Sequence, residues 1–64
     1  MTLNEKIYMI RLNKSMSQAE LAFKTGYSIG DIINFESRGN KISGYVLLKI
    51  IAAFDLSINE FMKI

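Results

Sequence analysis

The sequence predicts an all-α fold of five helices, and three observations predict it. Ser or Thr stands at the head of each apolar-periodic stretch, at Thr2, Ser17, Ser28, Ser43 and Ser57. A hydroxyl there accepts from the orphan N–H groups of a helix start. Behind these positions the apolar residues return every three or four places, the period of a helix that buries one face. Proline is absent, so nothing interrupts those stretches, and no strand is indicated.

Residues 2–14 read as the first helix. Thr2 and Glu5 make a capping box, and Leu3, Ile7 and Ile10 mark one face. Arg11 continues close to that face, where a charge is costly unless it is paired. The spacing alone leaves two arrangements open, a buried ion pair or an arginine that snorkels its head to water. Lys14–Met16 form the connection, with Met16 expected as a core plug.

Residues 17–37, SQAELAFKTGYSIGDIINFES, organise the rest of the chain. They read as two short helices and a tight corner. Ser17 and Glu20 are expected to form a capping box, with Leu21 and Ala22 on the inner face. Gly26 stops the helix because it adopts the left-handed conformation without a Cβ clash. Ser28 caps the next helix, and Asp31 favours the positive end of its dipole. Ile32 and Phe35 face back toward Leu21 and Ala22; Ala22 is small enough for two helices to cross steeply there. A polar-faced helix after a short glycine turn fits a DNA major groove.

The loop SRGNK, residues 37–41, is rich in turn formers and cations. Ser43 caps a fourth helix whose inner face runs Leu47, Ile50, Ile51, Phe54. Asp55 and Leu56 turn the chain, and Ser57 with Glu60 makes a capping box for a last short helix containing Phe61. The expected core is Leu3, Ile7, Ile10, Leu21, Ala22, Ile32, Phe35, Leu47, Ile50, Phe54, Leu56 and Phe61.

Composition narrows the function. Sixty-four residues are expected to form one domain, 1–64, which buries about 60 % of the surface its unfolded chain exposes. The absence of cysteine and histidine removes disulfides, the usual zinc sites and the usual nucleophilic dyads. The carboxylates sit mostly at caps, and no glycine-rich phosphate loop is present. An enzyme is therefore not expected, nor a cofactor, a metal or a small-molecule ligand. The most apolar run, VLLKIIAAF, is short and broken by Lys49, so no membrane span is expected. Glu5 and Lys6 precede any apolar run, which argues against a signal peptide. A cytoplasmic protein, nucleoid-associated when bound, is the expectation. With a net charge of only +2, any nucleic-acid face must come from the placement of charge.

The central stretch resembles the phage-repressor and Cro-type helix-turn-helix family, the lambda-repressor-like or XRE domains. The residues that carry the likeness are Gln18, Ala19, Glu20, Leu21, Ala22, Gly26, Ser28, Ile32, Phe35 and Glu36. It extends to Arg11 and Met16 upstream and to LLKIIAAFDLSINEF, residues 47–61, downstream. The chain departs from the family where relatives carry glycine at the sites of Ser15 and Arg38 and proline at the site of Ile42. The resemblance implies that Arg11 pairs with Glu36 and holds the first helix against the third.

It also implies a sequence-specific transcriptional regulator, repressor-like, binding double-stranded DNA through the third helix. Ile29, Gly30, Ile33 and Asn34 correspond to base-reading positions. Asn34 can contact adenine through two hydrogen bonds, while Ile29 or Ile33 can pack on a thymine methyl. Relatives often carry polar residues at the sites of Ile29 and Gly30, so the isoleucines could instead meet a protein surface. Candidate phosphate contacts are Gln18, at a helix start, with Ser28, Ser37, Arg38 and Lys41, and Lys24 as a further cation. Gln18 is read as a phosphate contact in preference to an ordinary exposed glutamine, whereas each cation could equally be a solvated surface charge. A homodimer on a pseudo-palindromic operator is expected. Tyr45, Leu48, Ile58, Met62 and Ile64 are its candidate interface, unless they complete the monomer core. The alternative function is a protein-interaction module, an antirepressor or partner-dependent regulator, with weak DNA binding.

Overall fold

The computed structural model describes residues 1–64 and is built from five helices with no strand. They are α1 (Leu3–Asn13), α2 (Gln18–Thr25), α3 (Ile29–Glu36), α4 (Gly44–Ala53) and α5 (Ile58–Lys63). Each begins at the predicted hydroxyl, in extended conformation, accepting a bond from the N–H three residues on. Thr2–Glu5, Ser28–Asp31 and Ser57–Glu60 close reciprocally as capping boxes. The box expected at Ser17–Glu20 is only half made. Ser17 Oγ accepts from the Glu20 N–H at 3.0 Å, but the Glu20 carboxylate stays in solvent and leaves the exposed Ser17 N–H to water.

The helix ends explain the connections. At the end of α1, Ser15 takes a left-handed φ of 53°, the Met16 N–H bonds to the Arg11 carbonyl, and the Ser15 N–H bonds to the Leu12 carbonyl. This is a Schellman motif. Its first residue past the left-handed position, Met16, drops into the core. The end of α4 repeats the device, with Asp55 at φ 58° and the Leu56 N–H on the Ile51 carbonyl. Serine thus stands in the backbone state where the relatives' glycine is expected. Gly26, at φ 82°, makes the corner between α2 and α3. In the loop the left-handed position falls on Gly39, at φ 88°, and the Asn40 N–H closes a turn on the Ser37 carbonyl at 3.2 Å.

α3 packs on both α1 and α2, α4 covers α2, and α5 closes over α4. Ile7, Ile10, Met16, Leu21, Ala22, Ile32, Ile50, Ile51, Phe54 and Phe61 are buried between them. Leu3, Phe35, Leu47 and Leu56 differ from the expected core by lying only partly buried against this cluster. Phe35 lies at the rim, where Tyr27, from the corner, meets it edge-on at 5.3 Å. No helix is long and apolar enough to cross a membrane.

Candidate nucleic-acid interface

The outward surface of α3 follows from what its inner surface holds. Ile32 is fully buried and Phe35 half-buried, so the helical period turns Ile29, Gly30, Ile33 and Asn34 to solvent. Ile29 and Ile33 are 48 % and 47 % exposed, and the Asn34 amide is open to solvent. Gly30 removes any side chain from the middle of this surface; a Cβ there would meet only Ser28 Oγ at 3.7 Å.

Behind it lies a polar lattice. The Arg11 guanidinium grips the Glu36 carboxylate with two bonds, Nε to Oε2 at 2.5 Å and Nη2 to Oε1 at 3.1 Å. Its Nη1 donates to the Met16 carbonyl at 2.7 Å, and the Tyr8 ring lies 5.5 Å from the guanidinium carbon. The two charged side chains are 8 % and 5 % exposed, so the arginine does not snorkel. One carboxylate at the end of α3 is thereby tied to α1 and, through Met16, to the link into α2.

Two phosphate candidates are engaged in this lattice. Gln18 Nε2 donates to Glu36 Oε1 at 3.2 Å, so its amide is not the free group expected, although one N–H remains. The Ser37 hydroxyl donates to the Ile33 carbonyl at 2.7 Å and has no second proton for a phosphate. Ser28 is exposed and its hydroxyl accepts from Asp31, which leaves its own O–H available. Asp31 in turn accepts from the Ser28 N–H at 3.2 Å, which accounts for an acid at this end of α3. Lys24, Arg38 and Lys41 are exposed. The Arg38 charge reaches Glu5, whose carboxyl lies below its ordinary 4.5, chiefly through the Thr2 N–H and then the Thr2 hydroxyl, with a smaller pull from Arg38.

The sequence reading missed Asn4. It is 5 % exposed, and its Nδ2 donates to the Phe35 carbonyl at 2.8 Å and to the Asn40 carbonyl at 2.9 Å. The signal was present, since Asn4, Ile7 and Arg11 share one stripe of α1 at helical spacing. Thr25 was also missed; buried, it bonds back to the Leu21 carbonyl at 2.8 Å. Phe23 is a third omission, projecting from α2 at 88 % exposure. The five dimer candidates, Tyr45, Leu48, Ile58, Met62 and Ile64, are all exposed and so do not complete the monomer core.

A family model described as "Helix-turn-helix" matches residues 7–61. No curated protein and no solved structure gives a significant match. The matched span takes in the Arg11–Glu36 pair, the Gly26 corner and the outward surface of α3. With most of its length covered, the chain belongs to the XRE-type helix-turn-helix family of DNA-binding regulators.

Proposed function

We propose that this chain is a sequence-specific, repressor-like regulator that sets α3 into the major groove of a pseudo-palindromic operator and binds it as a homodimer. The carrying observation is the division of α3. Its inner side is locked by Ile32, Glu36 and the Asn4 bonds, while Ile29, Gly30, Ile33 and Asn34 stand clear of the body. A rigid helix with free outward side chains is what base reading in the major groove requires. Asn34 supplies the amide that recognises adenine, and Ile29 and Ile33 supply apolar contact for thymine methyls. Lys41, Arg38 and the Ser28 hydroxyl at the start of α3 are assigned to phosphates, with the remaining Gln18 N–H beside them.

The size of the molecule is compatible with one copy for each half-site. The molecule measures 27 × 23 × 21 Å, less than the roughly 34 Å between successive half-sites on one face of B-DNA. On a pseudo-palindromic operator a second half-site would be met by a second copy, and the exposed Tyr45, Leu48, Ile58, Met62 and Ile64 are the candidate surface to join them.

Selection from random duplexes, followed by salt titration on the preferred site, tests this reading. Asn34→Ala is expected to cost about 1–3 kcal/mol on that site and little on random DNA. Lys41→Ala weakens all sequences alike and lowers the salt slope by about 0.9 for each phosphate left without its cation. Ile29→Ala is matched by replacing the contacted thymine with uracil. Equal losses on every sequence from Asn34→Ala and Lys41→Ala would remove α3 as the reader.

One observation favours a second reading. Phe23, at 88 % exposure, with Ile29 and Ile33 gives the helix-turn-helix more exposed apolar surface than base reading needs. A protein-interaction module, an antirepressor or partner-dependent regulator with weak DNA binding, would use it. Selection that yields only weak, sequence-independent binding would decide for that alternative.

A further inference from the structure

We propose that Asn4 is a positioning residue for DNA binding: its amide latches the 37–41 loop to the end of α3, so that the loop cations and the reading helix meet DNA as one body. This rests on the regulator reading above. The geometry carries it. One buried nitrogen, with two N–H groups, serves two carbonyls on different segments, Phe35 at the last turn of α3 and Asn40 in the loop. Those carbonyls lie 31 and 36 residues from Asn4 along the chain, so α1 is the common floor beneath both.

The loop's other anchors are local: the Ser37 N–H and hydroxyl on the Asn34 and Ile33 carbonyls, and the Asn40 N–H on the Ser37 carbonyl. Residues 38–41 are exposed, and their one bond to α3 from outside is Asn40 Nδ2 to the Asn34 carbonyl at 2.8 Å. Ile42 packs against the core beyond them. The Ile33, Asn34 and Phe35 carbonyls at the end of the helix each accept from a side chain, Ser37, Asn40 and Asn4, and the Asn34 carbonyl accepts from the Ser37 N–H as well. Of these three, Asn4 alone comes from another element. Aspartate has no amide protons, leucine has neither donor, and glutamine places its amide one methylene too far. Arg38 and Lys41 flank the latched carbonyl of Asn40 on either side. Where that carbonyl is held, the backbone that carries both cations is held relative to Asn34.

The test compares the wild type with Asn4→Ala at a temperature where both are folded. In the free protein, exchange of the Asn40 amide, which bonds to the Ser37 carbonyl, is expected to quicken about tenfold or more while the α2 amides keep their protection, a local opening rather than a global one. On the selected duplex the salt slope is expected to fall by about 0.9 for each phosphate that the loop cations no longer neutralise, with the Asn34 base preference retained. Lys41→Ala should then cost far less in the Asn4→Ala background than alone. A general loss of stability would instead lower the α2 protection and leave the salt slope and the Lys41→Ala penalty of the folded protein unchanged. If Asn4→Ala fails to fold, Asn4→Ser, whose hydroxyl keeps the site polar but falls an atom short of the amide nitrogen, serves for the same readouts. Full salt slope and an undiminished Lys41→Ala penalty would overturn the latch and leave the regulator reading standing. A wild type that selects no duplex would overturn the regulator reading and, with it, the positioning role.

Discussion

Replacing Glu36 with glutamine keeps the shape of the side chain and removes its charge. The carboxylate accepts from Arg11 Nε, Arg11 Nη2 and Gln18 Nε2. An amide has one accepting oxygen, so its NH2 group must face at least one of those donors. The guanidinium, with its side chain 8 % exposed, then sits without a counter-charge. Removing one partner of a buried pair costs about 3–5 kcal/mol, against under about 1 for an exposed pair. At roughly 0.05–0.15 kcal/mol per residue, a chain of this length has a total stability of about 3–10 kcal/mol. The variant therefore forfeits a third of the stability or all of it. In thermal terms, at about 4–8 °C per kcal/mol, the midpoint drops by about 12 °C or more. Urea unfolding followed by circular dichroism measures it. Arg11→Met combined with Glu36→Leu is expected to recover part of the loss, because the charges disappear together while the Met16 carbonyl still lacks Nη1. A midpoint unchanged within the equivalent of about 0.5 kcal/mol for Glu36→Gln would refute the reasoning, since that is the behaviour of a surface position.

Ser15→Gly and Asp55→Gly are each expected to stabilise by about 0.5–1 kcal/mol in the same assay. Left-handed strain of about 1–2 kcal/mol is relieved, offset by the greater freedom of an unfolded glycine; a loss of stability would show the strain to be absent. Acid titration should expose the capping boxes. Glu5 and Glu60 are held below 4.5, each first by the N–H of its cap residue, Thr2 or Ser57, and then by that residue's hydroxyl. A lowered folded-state value means stability present above 4.5 and lost as pH falls through the folded values, so Glu5→Gln with Glu60→Gln should flatten that limb. Sedimentation at micromolar concentration, with and without the selected duplex, should reveal a dimer at least on DNA, and a strict monomer in both would remove the palindrome.

The five helices were legible because their starts are local. A hydroxyl bonds to an N–H three residues away, and a reader of the sequence needs no knowledge of the fold to see it. Gly26 was legible for the same reason. The pairing of Arg11 with Glu36 came from the family resemblance, since their separation along the chain has no periodicity to betray it. Asn4 lay hidden because a buried amide declares itself only through its partners, and these stand on α3 and the loop. The bond from Gln18 to Glu36 went unread for a like cause. The position of Gln18 at a helix start is local, while the carboxylate that engages it arrives from the end of the next helix. The edge-on contact of Phe35 with Tyr27 was likewise hidden, because spacing does not specify ring orientation.

The separation between the inner and outer sides of α3 has a consequence for how such a chain could change over time. Ile29, Ile33 and Asn34 are exposed, and a side chain at Gly30 would meet ordinary van der Waals contact. The Asn34 carbonyl is held by Asn40, but its amide projects away from the body. Substitutions at these four sites alter the chemistry offered to a partner without disturbing Glu36, Asn4 or Ile32. The scaffold and the recognition code are thus nearly independent variables, and a lineage could drift to a new operator, or from DNA to a protein surface, through steps that each leave a folded molecule.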